Sequence, residues 1–160
     1  MPIQAGDRIP EATVMQMTDM GPAAVSTAEL FAGKKVVLFG VPGAFTPTCS
    51  NKHLPGYVRD ADAIRAKGVD LIACVAVNDA FVMDAWGQAQ GAAGKVLMLA
   101  DGNGELTKKL GLEVDASKHG MGQRGRRFSM ILQDGVVKEL NVEAPGEFKV
   151  SSAEATVCQL

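Results

Sequence analysis

Lys35-Val36-Val37-Leu38-Phe39-Gly40-Val41-Pro42-Gly43-Ala44-Phe45-Thr46-Pro47-Thr48-Cys49-Ser50 runs from an unbroken apolar segment through a Pro/Gly loop to a thiol. A continuous β-branched and aromatic run such as 36–41 marks a strand buried on both faces, as in α/β sheets. The loop leads into a helix, so Cys49 stands at the exit of a buried strand and in a first helical turn. A thiol there meets the partial positive charge of the helix N-terminus, which favours its thiolate. Cys49 is therefore a candidate nucleophile.

The same alternation of classes continues on both sides of this stretch. Residues 11–17 read as an edge strand, and Ser26-Thr27-Ala28-Glu29 as a capping box opening a short helix through about Phe31. The helix carrying Cys49 is expected to kink near Pro55-Gly56, resume through Tyr57 to Ala66 and end at Gly68. Val69 to Val77 is a second buried strand. Asn78 can cap a helix through about Gln90, and Lys95 to Ala100 is a third strand. Asp101-Gly102-Asn103-Gly104 turns into a short helix near Glu105 to Leu110. Phe128 to Gln133 and Val136 to Val142 are strands joined by Asp134-Gly135, a type I′ hairpin signal. Ser151-Ser152-Ala153-Glu154 opens a terminal helix. This order predicts one α/β domain over residues 1–160, with a mixed central sheet and helices on both faces.

The 160 residues carry a formal net charge of −2, so no global attraction to nucleic acid or membrane is expected. One Trp and one Tyr are too few for base-stacking surfaces, and runs such as Leu71 to Val77 are too short to span a bilayer. Residues 1–10 show no secretory signal pattern. Three cysteines (49, 74 and 158) without a Cys-x-x-Cys suit a reducing compartment, with the cytoplasm as default. Two histidines, His53 and His119, are too few for an ordinary zinc site with these cysteines, and neither metal nor cofactor is expected.

Ionisation alone speeds a thiol by only a few tens-fold, so larger acceleration needs groups that stabilise charge in the transition state. Thr46, three residues before Cys49, can aim a hydroxyl at whatever the sulfur attacks. Pro42 and Phe45 can form apolar walls, and Gly43 and Ala44 are small enough to let the backbone approach a substrate. The plain alternative is an inert loop thiol in a turn shaped by prolines.

The pattern Pro42-x-x-x-Thr46-x-x-Cys49 resembles the active-site signature of the peroxiredoxins, thiol peroxidases on a thioredoxin-like fold. The string Val41 to Ser50 with His53-Leu54-Pro55-Gly56 is similar to the type II/type V subfamily. Ala73 to Phe81, Trp86-Gly87 and Arg127-Phe128-Ser129-Met130 extend the match over nearly the whole chain. The resemblance implies that the Cys49 thiolate attacks hydrogen peroxide or an alkyl hydroperoxide and becomes a sulfenic acid. It implies that Thr46 holds the peroxide, with Gly43 and Phe45 beside it, that Pro42 shields the site, and that Arg127 stabilises the thiolate and orients the peroxide oxygens. Strand alternation lets only one of Arg126 and Arg127 face Cys49. The other cations of Lys118 to Arg127 read as surface charge that could attract glutathione. His53 could tune the site or bond to a loop. Asp79, Phe81 and Trp86 read as packing, or as part of the face by which the family forms homodimers.

Type V members carry a resolving cysteine near the position that holds Val150 or Ser151 here, so that disulfide route is closed. Cys74 matches a cysteine shared by many members but lies in an apolar run, and Cys158 has no counterpart. The expected course is one-cysteine turnover, with glutathione or glutaredoxin restoring Cys49. Thioredoxin acting through Cys74, or a relay passing oxidation to partner proteins, is the alternative.

Overall fold

The structure is a computed structural model and describes residues 2–160. β1 (Thr13–Thr18) and β2 (Gly21–Ser26) form a hairpin, followed by α1 (Thr27–Phe31) and β3 (Lys35–Gly40). A widened turn at Cys49–His53 runs into α2 (Leu54–Arg65), then β4 (Leu71–Ala76), α3 (Ala80–Ala89), β5 (Leu97–Ala100) and α4 (Glu105–Leu110). The short strands β6 (Glu113–Asp115) and β7 (Gln123–Gly125) pair with each other. β8 (Phe128–Gln133), β9 (Val136–Val142) and α5 (Ala153–Gln159) complete the chain. Seven strands make one mixed sheet in the order β2-β1-β5-β4-β3-β8-β9. β3, β4 and β5 are parallel, while β8 lies antiparallel to β3 and β1 antiparallel to β5.

Strand alternation divides β3 between two cores. Val37 and Phe39 point to the layer of α2, α3 and α5, where they pack with Tyr57, Ile64, Trp86 and Ala153. Val36 and Leu38 point to the layer of α1 and α4, beside Phe31, Leu106 and Leu110. All four β3 side chains are fully buried, which accounts for the unbroken apolar run in the sequence. Phe39 stacks on Tyr57 with ring centroids 4.0 Å apart and fixes α2 against the centre of the sheet. Among the described residues, no helix is long and apolar enough to cross a membrane.

Several local expectations need correction. Residues 13–18 are not an edge: β2 covers β1 and forms the edge itself. β2 escaped notice because Gly21-Pro22-Ala23-Ala24 has low strand propensity, and Pro22 is tolerated because nothing pairs beyond it. Asp79 rather than Asn78 caps α3, accepting from Val82 N at 2.9 Å. The expected kink at Pro55-Gly56 is instead a π-helical turn at Cys49–His53, closed by Leu54 N donating to Cys49 O. Pro55 has no N–H for the carbonyl four residues back, and the chain relaxes into the wider ring just ahead of it. The basic segment 118–127 holds β7 rather than being only a solvated loop. At the hairpin, Asp134 (φ 49°) and Gly135 (φ 78°) both adopt the left-handed conformation a type I′ turn requires.

Gly40, the last residue of β3, lies opposite Phe128 in β8. A Cβ there would come within 2.1 Å of the Phe128 ring. Gly40→Ala should therefore lower stability by about 2–3 kcal/mol in urea unfolding, as overpacking against a buried ring does. A stability equal to that of the unaltered protein would show that Phe128 can yield.

Candidate active site

The loop after Gly40 is pinned at three points. Val41 N donates to Val75 O (3.1 Å), Ala44 N donates to Asn78 Oδ1 (3.0 Å), and Ser50 N donates to Thr46 O (2.9 Å). Asn78 is thus a loop clamp rather than a helix cap. The Thr46–Ser50 bond makes Pro47 the first helical residue, where its missing N–H costs nothing, and leaves Cys49 in the first turn. The Thr46 hydroxyl donates to Gly43 O at 2.6 Å, so its lone pairs remain open to a donor from a substrate. Gly43 is buried, and a Cβ on it would crowd Thr46 Cγ2 and Met121 Cε, both at 3.3 Å. Phe45 takes a positive φ of 63° and is 56% exposed, so it lies at the surface of the loop and leaves the apolar wall to Pro42. Trp86 donates Nε1–H to Ser50 Oγ at 2.9 Å and anchors the same turn from α3.

Cys49 is fully buried, and Arg127 donates Nη2–H to its Sγ at 3.1 Å. The other arm of the guanidinium, Nη1, donates to His53 Nδ1 at 2.8 Å. His53 Nε2 lies 3.0 Å from Ser151 O, which can only accept, so the proton sits on Nε2 and Nδ1 is the acceptor Arg127 needs. Burial first, and then the positive charge of Arg127, push the His53 pKa down to about 3, so the ring stays neutral. The Phe148 ring lies 5.8 Å from the Arg127 guanidinium carbon and meets His53 edge-on at 5.1 Å. A sulfur held by a fixed cation at a helix start can attack an electrophile, with the same cation ready for the charge that leaves.

Arg126 and Arg127 lie in the link between β7 and β8 rather than in a strand, and they still diverge, since Arg126 donates to Glu143 O at 3.1 Å. Arg124 donates to Met121 O and Val77 O. These two arginines hold backbone in place, which corrects their reading as surface charge. Cys74, on β4, is fully buried in the same core cluster as Cys49, and Cys158 is exposed on α5. Burial above all, and then the neighbouring Cys49, push the Cys74 thiol up. Among the described residues, no cluster of three or more His, Cys, Asp or Glu side chains is placed to hold a metal ion. Sequence reasoning missed the contributions of Phe148 and of the Ser151 carbonyl. Ser151-Ser152 reads only as a helix cap, and a backbone acceptor leaves no mark in composition.

Fold and site together define a cysteine-based redox enzyme of thioredoxin-like architecture. A family model described as Redoxin matches residues 4–157. Peroxiredoxin-2E-2, chloroplastic, of Oryza sativa subsp. japonica is 54% identical over 157 residues, covering 95% of this chain and 70% of that protein. Peroxiredoxin-2B of Arabidopsis thaliana is 50% identical over 154 residues, covering 96% and 95%. The crystal structure of reduced Prx3 in complex with H2O2 from Vibrio vulnificus superposes with a TM-score of 0.95 at 57% identity, covering 98% of each chain. The chain belongs to the redoxin family as a type II peroxiredoxin, and it is a thiol peroxidase.

An unfolded His53 takes up a proton near its ordinary value of 6.5, whereas the folded one does not until about pH 3. The unfolded state therefore binds more protons throughout that window, and stability is lost as pH falls through it, by up to about 1.4 kcal/mol per pH unit. Glu143 adds a loss of the same sign: burial raises its pKa, but hydrogen bonds from Ser151, Lys149 and Val150 outweigh that and hold it low. Denaturant unfolding from pH 7 to pH 4 should show this decline, and His53→Gln should flatten it. An equally steep decline in His53→Gln would rule out the neutral buried ring.

Proposed function

We propose that Cys49 is the peroxidatic thiol, that Pro42, Thr46 and Arg127 complete its site, and that glutathione or glutaredoxin restores it. The observation that carries this reading is the 3.1 Å contact from Arg127 Nη2 to the Sγ of a thiol in a first helical turn. The thiolate attacks the hydroxyl oxygen of ROOH, the O–O bond breaks, and RO⁻ leaves as ROH after taking a proton. Cys49 becomes a sulfenic acid. Thr46 Oγ1, its own proton committed to Gly43 O, accepts from the peroxide O–H, while the guanidinium faces the charge that develops. Pro42 and Arg127 also border a cavity of about 330 Å³ whose wall includes Val114, Met121 and Pro145. That space supports alkyl hydroperoxides as substrates alongside hydrogen peroxide.

An external thiol then attacks the sulfenic sulfur and expels water, and a second thiol cleaves the mixed disulfide. The buried sulfur requires the turn 49–53 to open for this step. Cys74 favours a second reading, resolution within the chain followed by thioredoxin, because it shares the core cluster of Cys49. Its upward shift by burial leaves it a poor nucleophile and supports the external thiol instead. A cytoplasmic setting, where glutathione keeps thiols reduced, suits this cycle.

Peroxide consumption should vanish in Cys49→Ser and fall about 100-fold or more in Thr46→Val and Arg127→Lys. It should persist in the Cys74→Ser/Cys158→Ser double variant with glutathione and glutaredoxin. Loss of turnover in that double variant, with peroxide still oxidising Cys49, would replace this cycle with the Cys74 route.

We also propose a homodimer joined beside the active site. Phe45 (56% exposed), in the loop after β3, and Phe81 (67% exposed), in the first turn of α3, flank the segments that the Ala44–Asn78 hydrogen bond ties together. Sedimentation should give twice the monomer mass, and Phe81→Glu should give monomers. A monomeric unaltered protein would overturn the proposal.

A further inference from the structure

One buried carboxylate takes no part in the chemistry above. Glu143 follows β9 and is 3% exposed. Its Oε2 accepts four hydrogen bonds of 2.8 Å each, from Lys149 N, Val150 N, Ser151 N and Ser151 Oγ. Among the described residues no lysine or arginine side chain forms an ion pair with it, since Arg126 reaches only its carbonyl oxygen. Three successive backbone N–H groups turned onto one oxygen form an anion nest, and they balance a charge that burial would otherwise make costly.

The loop that this nest holds delivers two groups to Arg127. The Ser151 carbonyl accepts from His53 Nε2 (3.0 Å) and from Tyr57 Oη (2.9 Å), and so sets the ring whose Nδ1 receives Arg127 Nη1. The Phe148 ring lies against both Arg127 and His53. Glu143 also reaches Arg127 from the other side, because its backbone N–H donates to Arg127 O at 2.9 Å. One residue thus ties down the backbone from which the guanidinium extends and the loop against which it rests.

We infer that Glu143 is a positioning residue of the peroxidase, setting the Arg127 guanidinium on the Cys49 sulfur through the Ser151–His53 relay and the Phe148 ring. The inference rests on the reading that Arg127 acts at Cys49. Its effect belongs to the reaction with peroxide, because a guanidinium displaced by about 1 Å can cost about 100-fold in rate.

The experiment follows oxidation of the reduced protein by hydrogen peroxide in stopped flow, using the fluorescence of Trp86, the only tryptophan, which is bonded to Ser50 beside Cys49. Glu143→Gln keeps the shape but loses the charge that the nest was built for. Its second-order rate constant should fall about 10–100-fold, with thiolate absorbance at 240 nm falling in parallel while the circular dichroism spectrum is retained. In an Arg127→Gln background the same substitution should cost less than about twofold, because the group through which it acts is gone. A full rate constant in Glu143→Gln, or an equal loss in both backgrounds, overturns the inference. An unchanged rate in Arg127→Gln alone would instead overturn the reading of the site. If Glu143→Gln does not fold, Ser151→Ala, which removes one of the four bonds, decides by the same pair of backgrounds, with a loss of about threefold expected beside Arg127 and none without it.

Discussion

A guanidinium 3.1 Å from a buried sulfur imposes a constraint that reaches through this side of the molecule. The gross attraction between such a cation and a thiolate is of order 5 kcal/mol at an effective dielectric of about 20, before desolvation is counted. That attraction is useful only if the cation cannot turn away and no second positive charge competes with it. His53 meets both conditions. It accepts from Arg127 through Nδ1, and it can do so only because Nε2–H is committed to the Ser151 carbonyl and burial keeps the ring neutral. A protonated ring would lose the acceptor and repel the guanidinium.

The sheet explains how residues 78 positions apart come together. In the antiparallel register of β3 and β8, Gly40 lies opposite Phe128, so the chain leaving β3 for Cys49 and the residue entering β8, Arg127, emerge at the same end. Parallel pairing of β3 with β4 brings a third connection there, and Asn78 uses it to clamp Ala44. The helix that begins at Pro47 then aims its N-terminus at the sulfur. The widened turn at 49–53 makes this the least regular part of that helix, which suits the proposed cycle: the sulfur is enclosed for peroxide and must be uncovered for a larger thiol.

Much of this was legible in order along the chain because it depends on neighbours. The buried strand 36–41, the Asp134-Gly135 turn and the placement of Cys49 in a first helical turn each follow from a few adjacent residues. What went unread had weak or misleading local signals. β2 is built from poor strand formers and exists because β1 offers it an edge. Arg124 and Arg126 look like surface charge and prove to hold carbonyls from distant segments. Glu143 looks like any acidic residue near the end of a strand. Only the loop folded back onto it shows three N–H groups converging on one oxygen.

The sequence by itself determined the α/β alternation and the placement of the candidate nucleophile Cys49 in a first helical turn beside its threonine and proline neighbours, because strand burial, helix starts and turn chemistry are set over a few residues. Through family resemblance it also singled out Arg127 over Arg126. The tertiary structure alone decided that His53 is a neutral relay, that Cys74 is sealed in the core, and that a carboxylate remote from the sulfur orders the loop behind it. Those outcomes depend on desolvation and on hydrogen bonds between groups up to 98 residues apart, and neither quantity is written into any local stretch of the chain.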